Sequence, residues 1–144
     1  MKDIKEKTVW NFKYKDVHCE IVNWGKVEMA SVSESGIWNG YIIFYKQEIG
    51  YKKFRKLLCK FRTTKILKSS PKRSYWQYGK LESLIDMHGG ITYYELLRDQ
   101  FDGKPMGVKI GCDYAHLFDE GHYIELNEVK RDLEETIDKL NNLA

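Results

Sequence analysis

This sequence predicts an α+β fold: an antiparallel sheet covered by a long C-terminal amphipathic helix, with a basic helical insert between the strands. Three observations carry that expectation. Leu126, Val129, Leu133, Ile137 and Leu140 recur at spacings of 3, 4, 4 and 3, which is a helical period. On an ideal helix they fall within about an 80° arc. Upstream, apolar and aromatic residues come in short runs separated by turn residues, which is the pattern of strands. One apolar helix stripe needs an apolar surface to cover, and those strands supply a sheet face.

The elements follow in order. Thr8 to Tyr14 alternates, with Trp10, Phe12 and Tyr14 on one face. Val17 to Trp24 is also rich in strand formers, and Lys15-Asp16 between them marks a hairpin. Lys26 to Val32 is a third strand candidate after the Trp24-Gly25 turn, and Ser33 to Gly36 reads as a loop. Trp38 to Tyr45 reads as a buried strand, in which Gly40 marks a bulge or a close backbone approach. Tyr51 to Phe61 carries Phe54, Leu57, Leu58 and Phe61 at helical spacing. Residues 62–80 read as a strand or an irregular excursion ending near Tyr75 to Tyr78. Leu81 to Met87 and Ile91 to Tyr94 are short strand candidates around His88-Gly89-Gly90. Asp99 to Pro105 is a loop with a turn at Asp102-Gly103. Met106 to Cys112 is a strand that delivers Asp113 to its end. A coiled-coil dimer through the last helix is the minor alternative, because fewer than about three heptads are present.

The chain has 144 residues, which predicts one domain spanning 1–144. Its 42% apolar and 14% aromatic content argues against disorder. No apolar run approaches the roughly 18 to 20 residues of a membrane span. Met1 to Lys7 is charged and lacks the apolar core of a signal peptide. Cys19, Cys59 and Cys112 are odd in number and form no CxxC. A reduced, cytoplasmic protein without structural zinc is the expectation.

Charge is segregated. Residues 46–80 hold twelve Lys and Arg against one acid, Glu48, whereas residues 81–144 hold six against fourteen. Cations neutralise phosphates and aromatics stack on bases. Lys52, Lys53, Arg55, Lys56 and Trp76 are therefore candidate ligand-binding residues. The competing reading is a solvated face, or a mate for the acidic half, with Phe54 and Phe61 in the core.

Two further constellations carry chemistry. In His88-Gly89-Gly90-Ile91-Thr92, paired glycines offer backbone N–H groups to a phosphate, with His88 as donor or base. A tight turn with a packed histidine is the alternative. In Asp113-x-x-His116-x-x-Asp119, the three side chains are a candidate divalent-metal set, and Asp113 with His116 a candidate acid–base pair. If catalytic, the machinery is His88, Asp113 and His116. No zinc spacing such as HExxH occurs, so Asp113 as a turn cap and His116 as a core residue stay open. Cys112 as a nucleophile is disfavoured, because a neighbouring carboxylate raises a thiol pKa.

Trp38-Asn-Gly-Tyr41, His88-Gly-Gly-Ile-Thr-Tyr93 and Gly111-x-Asp-x-Ala-His116-x-x-Asp119, followed by a C-terminal helix, together resemble a group of small tailed-bacteriophage proteins. The resemblance spans roughly residues 38–143. It implies phage origin and residence in the host cytoplasm, and makes His88, Gly89, Gly90, Asp113, His116 and Asp119 the shared polar positions. The basic insert 46–80 is a departure from that pattern. Three functions follow: an accessory, counter-defence protein that binds a nucleotide signal or nucleic acid; a metal- or His-dependent phosphoester hydrolase; an inhibitor that grips a host protein through charge. Oligomeric state is open, with a homodimer among the options.

Overall fold

The computed structural model describes residues 7–25, 35–60, 87–88, 91, 93–114 and 123–143. Among these residues, five strands and two helices run in the order β1 (Thr8–Tyr14), β2 (Val17–Asn23), β3 (Trp38–Tyr45), α1 (Ile49–Lys60), β4 (Tyr93–Arg98), β5 (Pro105–Asp113) and α2 (Leu126–Leu143). The strands form one sheet in the order β1-β2-β3-β5-β4. Every neighbouring pair is antiparallel.

The β1–β2 hairpin turns where the sequence predicts. Lys15 and Asp16 both take positive φ, 48° and 64°, the pattern of a type I′ turn whose twist matches that of the strands. β5 then inserts between β3 and β4, so the centre of the sheet joins segments distant in sequence.

Alternation decides what each face carries. Cys19, Ile21, Ile42, Phe44, Val108, Ile110 and Cys112 are buried on one face. α2 packs on the β2 and β3 part of this face with Val129, Leu133, Ile137 and Leu140, four of the five residues of the predicted stripe, all buried. The fifth, Leu126, is half-buried against the core. Burial of each such aliphatic side chain stabilises by about 1.5–3 kcal/mol. Gly40 is where the helix comes close: a Cβ there would lie 3.1 Å from Leu133 Cδ2 and 3.3 Å from Val129 Cγ1. The ladder around it is regular. Of the two readings of Gly40, close approach holds and the bulge does not.

α1 begins at Ile49, two residues before the expected start, and docks through Tyr51 and Phe54, both buried. Phe54 stacks on Phe44 at 4.6 Å between centroids and 11° between planes. The side chains of Leu57 and Leu58, and all of Phe61, lie outside the described residues. So do the strand expected at 26–32, the strand or irregular excursion expected at 62–80, and residues 81–86 of the next strand candidate. Met87 is buried in the core but belongs to no strand. β4 extends to Arg98, past the Tyr94 limit expected of it. The Asp99 to Lys104 connection is a turn locked by its own carboxylates. Asp99 Oδ1 accepts from the Phe101 and Asp102 amides at 2.7 and 3.1 Å. Asp102 Oδ1 accepts from the Lys104 amide at 2.9 Å. No described helix is long and apolar enough to cross a membrane.

Candidate functional site

Among the described residues, the places where polar side chains come together include the end of β5, the sheet face opposite α2, and the outer face of α1.

At the end of β5, Tyr114 turns to the α2 side and is fully buried. Its hydroxyl donates to Asp132 Oδ2 of α2 at 2.5 Å. Burial, reinforced by neighbouring acidic groups, pushes this phenol far above its ordinary pKa, so it stays a donor. The His88 imidazole stacks on the Tyr114 ring, 3.9 Å between centroids and 14° between planes. His88 is thus a ring packed on a buried tyrosine. Asp113, one residue earlier on the strand, alternates to the opposite face and sits beside Asn39 in the ladder. The structure therefore stacks His88 on Tyr114, whereas Asp113 alternates to the face opposite Tyr114. Gly89, Gly90, Thr92, Trp76, His116 and Asp119 lie outside the described residues. Among the described residues, no three His, Cys, Asp or Glu side chains gather as a metal set.

The face opposite α2 carries a polar lattice that reading by segments does not reveal. Lys109 Nζ lies 3.0 Å from Glu20 Oε1 and 4.4 Å above the Tyr41 ring. Tyr41 meets Tyr93 edge to face at 5.3 Å, across Gly111, where any Cβ would collide with Tyr41. The Tyr93 hydroxyl donates to Glu95 at 2.7 Å. His18 Nε2 is 3.1 Å from Glu48 Oε2, with the Tyr45 ring edge-on at 4.9 Å. An open groove of about 320 Å³ lies beside this lattice, with Asn11, Lys13, His18, Ile43 and Tyr45 in its lining. The signal for this face is alternation: His18 and Glu20 interrupt Val17, Cys19 and Ile21 at every second position. Which strand answers them is a matter of register, and sequence does not supply that. Chemically the face is largely satisfied. Lys109, Tyr93 and His18 each already face a carboxylate.

The outer face of α1 is different. Lys52, Lys53, Arg55 and Lys56 are all exposed. Among the described residues, no carboxylate pairs with any of them. Glu48, the one acid of residues 46–80, is turned to His18 instead. The first turn of α1, from Ile49, contains no acid.

No family model, curated protein or solved structure matches this chain.

Proposed function

We propose that this chain is a small phage accessory protein that acts in the host cell, in counter-defence, by binding a phosphorylated ligand through the cationic face of α1. One observation carries the reading: four neighbouring cations on one surface helix stay free of described carboxylates, while Lys15 and Lys109 elsewhere are paired at 2.6 and 3.0 Å. Unpaired like charges at i, i+3 and i+4 weaken an isolated helix slightly. A polyanion that draws counter-charge from all four relieves that cost. In this reading α1 opens a basic insert, residues 46–80, whose charge contrasts with the acidic segment 81–144, and the amphipathic α2 serves as its scaffold.

The hydrolase alternative finds less support. It needs His88 and Asp113 together, and they lie on opposite sides of the sheet.

Titration calorimetry with mononucleotides, a cyclic dinucleotide, short single strands and short duplexes, at low and raised salt, tests the reading. Heat of binding that shrinks as salt rises is expected for at least one phosphorylated ligand, because phosphate contacts release counterions. Absence of binding to every one at low salt would remove the proposal.

A further inference from the structure

The cationic face also says which phosphorylated ligand fits, given that phosphate binding at α1 holds. We infer that its ligand is the phosphodiester backbone of double-helical nucleic acid, bound without sequence preference.

Shape comes first. A mononucleotide site is a concavity that encloses most of the ligand. Lys52, Arg55 and Lys56 stand on the convex outside of a helix, and the exposed Lys53 stands at the rim of the crevice behind it. The crevice behind that helix, lined by Val17, Phe44, Phe54, Ile137 and Leu140, has room of only about 10 Å³, about one water molecule. No base enters it.

Aromatics come second. Binding of single strands leans on bases stacked against exposed rings. The two aromatic residues of described α1, Tyr51 and Phe54, are turned inward at 7% and 1% exposure. A duplex keeps its bases stacked on each other and asks only for charge at its rim.

Spacing comes third. Residues 52 to 56 rise about 6 Å along the helix. A duplex strand presents a charge about every 3.4 Å of its axis, so adjacent phosphates lie within reach of neighbouring lysines. The four side chains include no Asn or Gln to read adenine and no Asp or Glu to read cytosine, so guanine is the one base edge their donors match. The contacts therefore position the chain on nucleic acid without selecting a sequence.

The experiment is fluorescence anisotropy on the full chain with labelled duplexes of two unrelated sequences, a single strand of matching length, and unlabelled ATP as competitor, repeated across salt. The variant K52Q/K53Q/R55Q/K56Q tests the assignment to α1, and R55Q alone is a milder second variant. Expected are equal affinities for the two duplexes, weaker binding to the single strand, and no competition by ATP. The wild-type slope of log K against log salt should be steeper than that of the quadruple variant by about 3 to 4, the release from four phosphates. R55Q should remove about 1 of that slope. Tighter binding to the single strand, effective ATP competition, or more than about tenfold preference between the duplexes would overturn the duplex inference while leaving phosphate binding at α1 in place. An unchanged slope in both variants would overturn the assignment to α1. No binding to any ligand would remove both.

Discussion

Glycines of β5 show how single residues set the limits of this fold. A Cβ at Gly107 would lie 2.4 Å from the Phe44 carbonyl oxygen, which belongs to the neighbouring backbone and cannot swing away. At Gly111 the first obstacle is the Tyr41 ring at 2.4 Å, with the Gly40 carbonyl oxygen further off at 2.9 Å. Gly107→Ala should therefore destabilise more, by about 2–3 kcal/mol against about 1–2 for Gly111→Ala, within the range of overpacked sites. Urea unfolding of both variants checks the order, and equal costs would contradict the geometry. Gly111→Ala should also disturb the Tyr41–Tyr93 contact and with it the perch of Lys109. Burial pushes the Cys19 thiol up to about 12, so it stays protonated and unreactive at neutral pH. Native thiol labelling followed by peptide mapping should find Cys19 unmodified until denaturant is added. At the tip of the β4–β5 turn, Phe101 is 98% exposed. Phe101→Ser should change stability by no more than about 0.5 kcal/mol.

Elements rather than residues explain what could be foreseen. α2 was legible because all five members of its stripe lie on one chain segment, and four of them are the residues that meet the sheet. The β1–β2 hairpin was legible for the same reason. Its turn uses Lys15 and Asp16 at positive φ, where Gly or Asn serves more easily. Asp16→Gly should therefore raise stability by about 1 kcal/mol, the strain of a left-handed residue, in thermal or urea unfolding. What was not legible depends on register between distant segments. Nothing local to Lys109 announces Glu20, and nothing local to His18 announces Glu48. Nor does the spacing of His88 and Asp113 say that a strand's alternation will part them. One partner of His88 is Tyr114, whose burial follows from its position after Cys112 on the covered face. The cations of α1 were legible as a charge run. Their freedom from described partners was not, because it depends on where Glu48 turns. K52Q/K53Q/R55Q/K56Q should for that reason unfold at the same temperature as the wild type or higher, since it removes repulsion and breaks no described pair. Phe54→Ala, by contrast, should cost about 3–5 kcal/mol through loss of the stack on Phe44.

Across the whole molecule, one polar tie joins the two ends of the described chain. Asp138 of α2 accepts from the Tyr14 hydroxyl at 3.1 and 3.2 Å, and Lys15 Nζ lies 2.6 Å from its Oδ1. The hairpin that opens the sheet is thereby fastened to the helix that closes the fold. The hydrogen bond from Lys15 holds the Asp138 carboxyl below its ordinary value of 3.8, and the same bond raises Lys15 above 10.5. The signs differ in their consequences. A carboxyl lowered in the folded state adds stability that is complete above the unfolded value and disappears as pH falls through the folded one. An amine raised in the folded state adds stability that is complete below its unfolded value and disappears as pH climbs through the folded one. Both contributions are present together between those limits. Asp138→Asn removes the charge behind both, so wild type and variant should differ by a small, level amount from mild acid to mild base. Their stabilities should draw together below pH 3.8 and again above pH 10.5. Salt should shrink the plateau, because both partners are solvent-exposed. Chemical denaturation across pH measures this directly. A difference that persists undiminished in acid would mean that Asp138 acts through packing, and that the tie between hairpin and helix is not electrostatic.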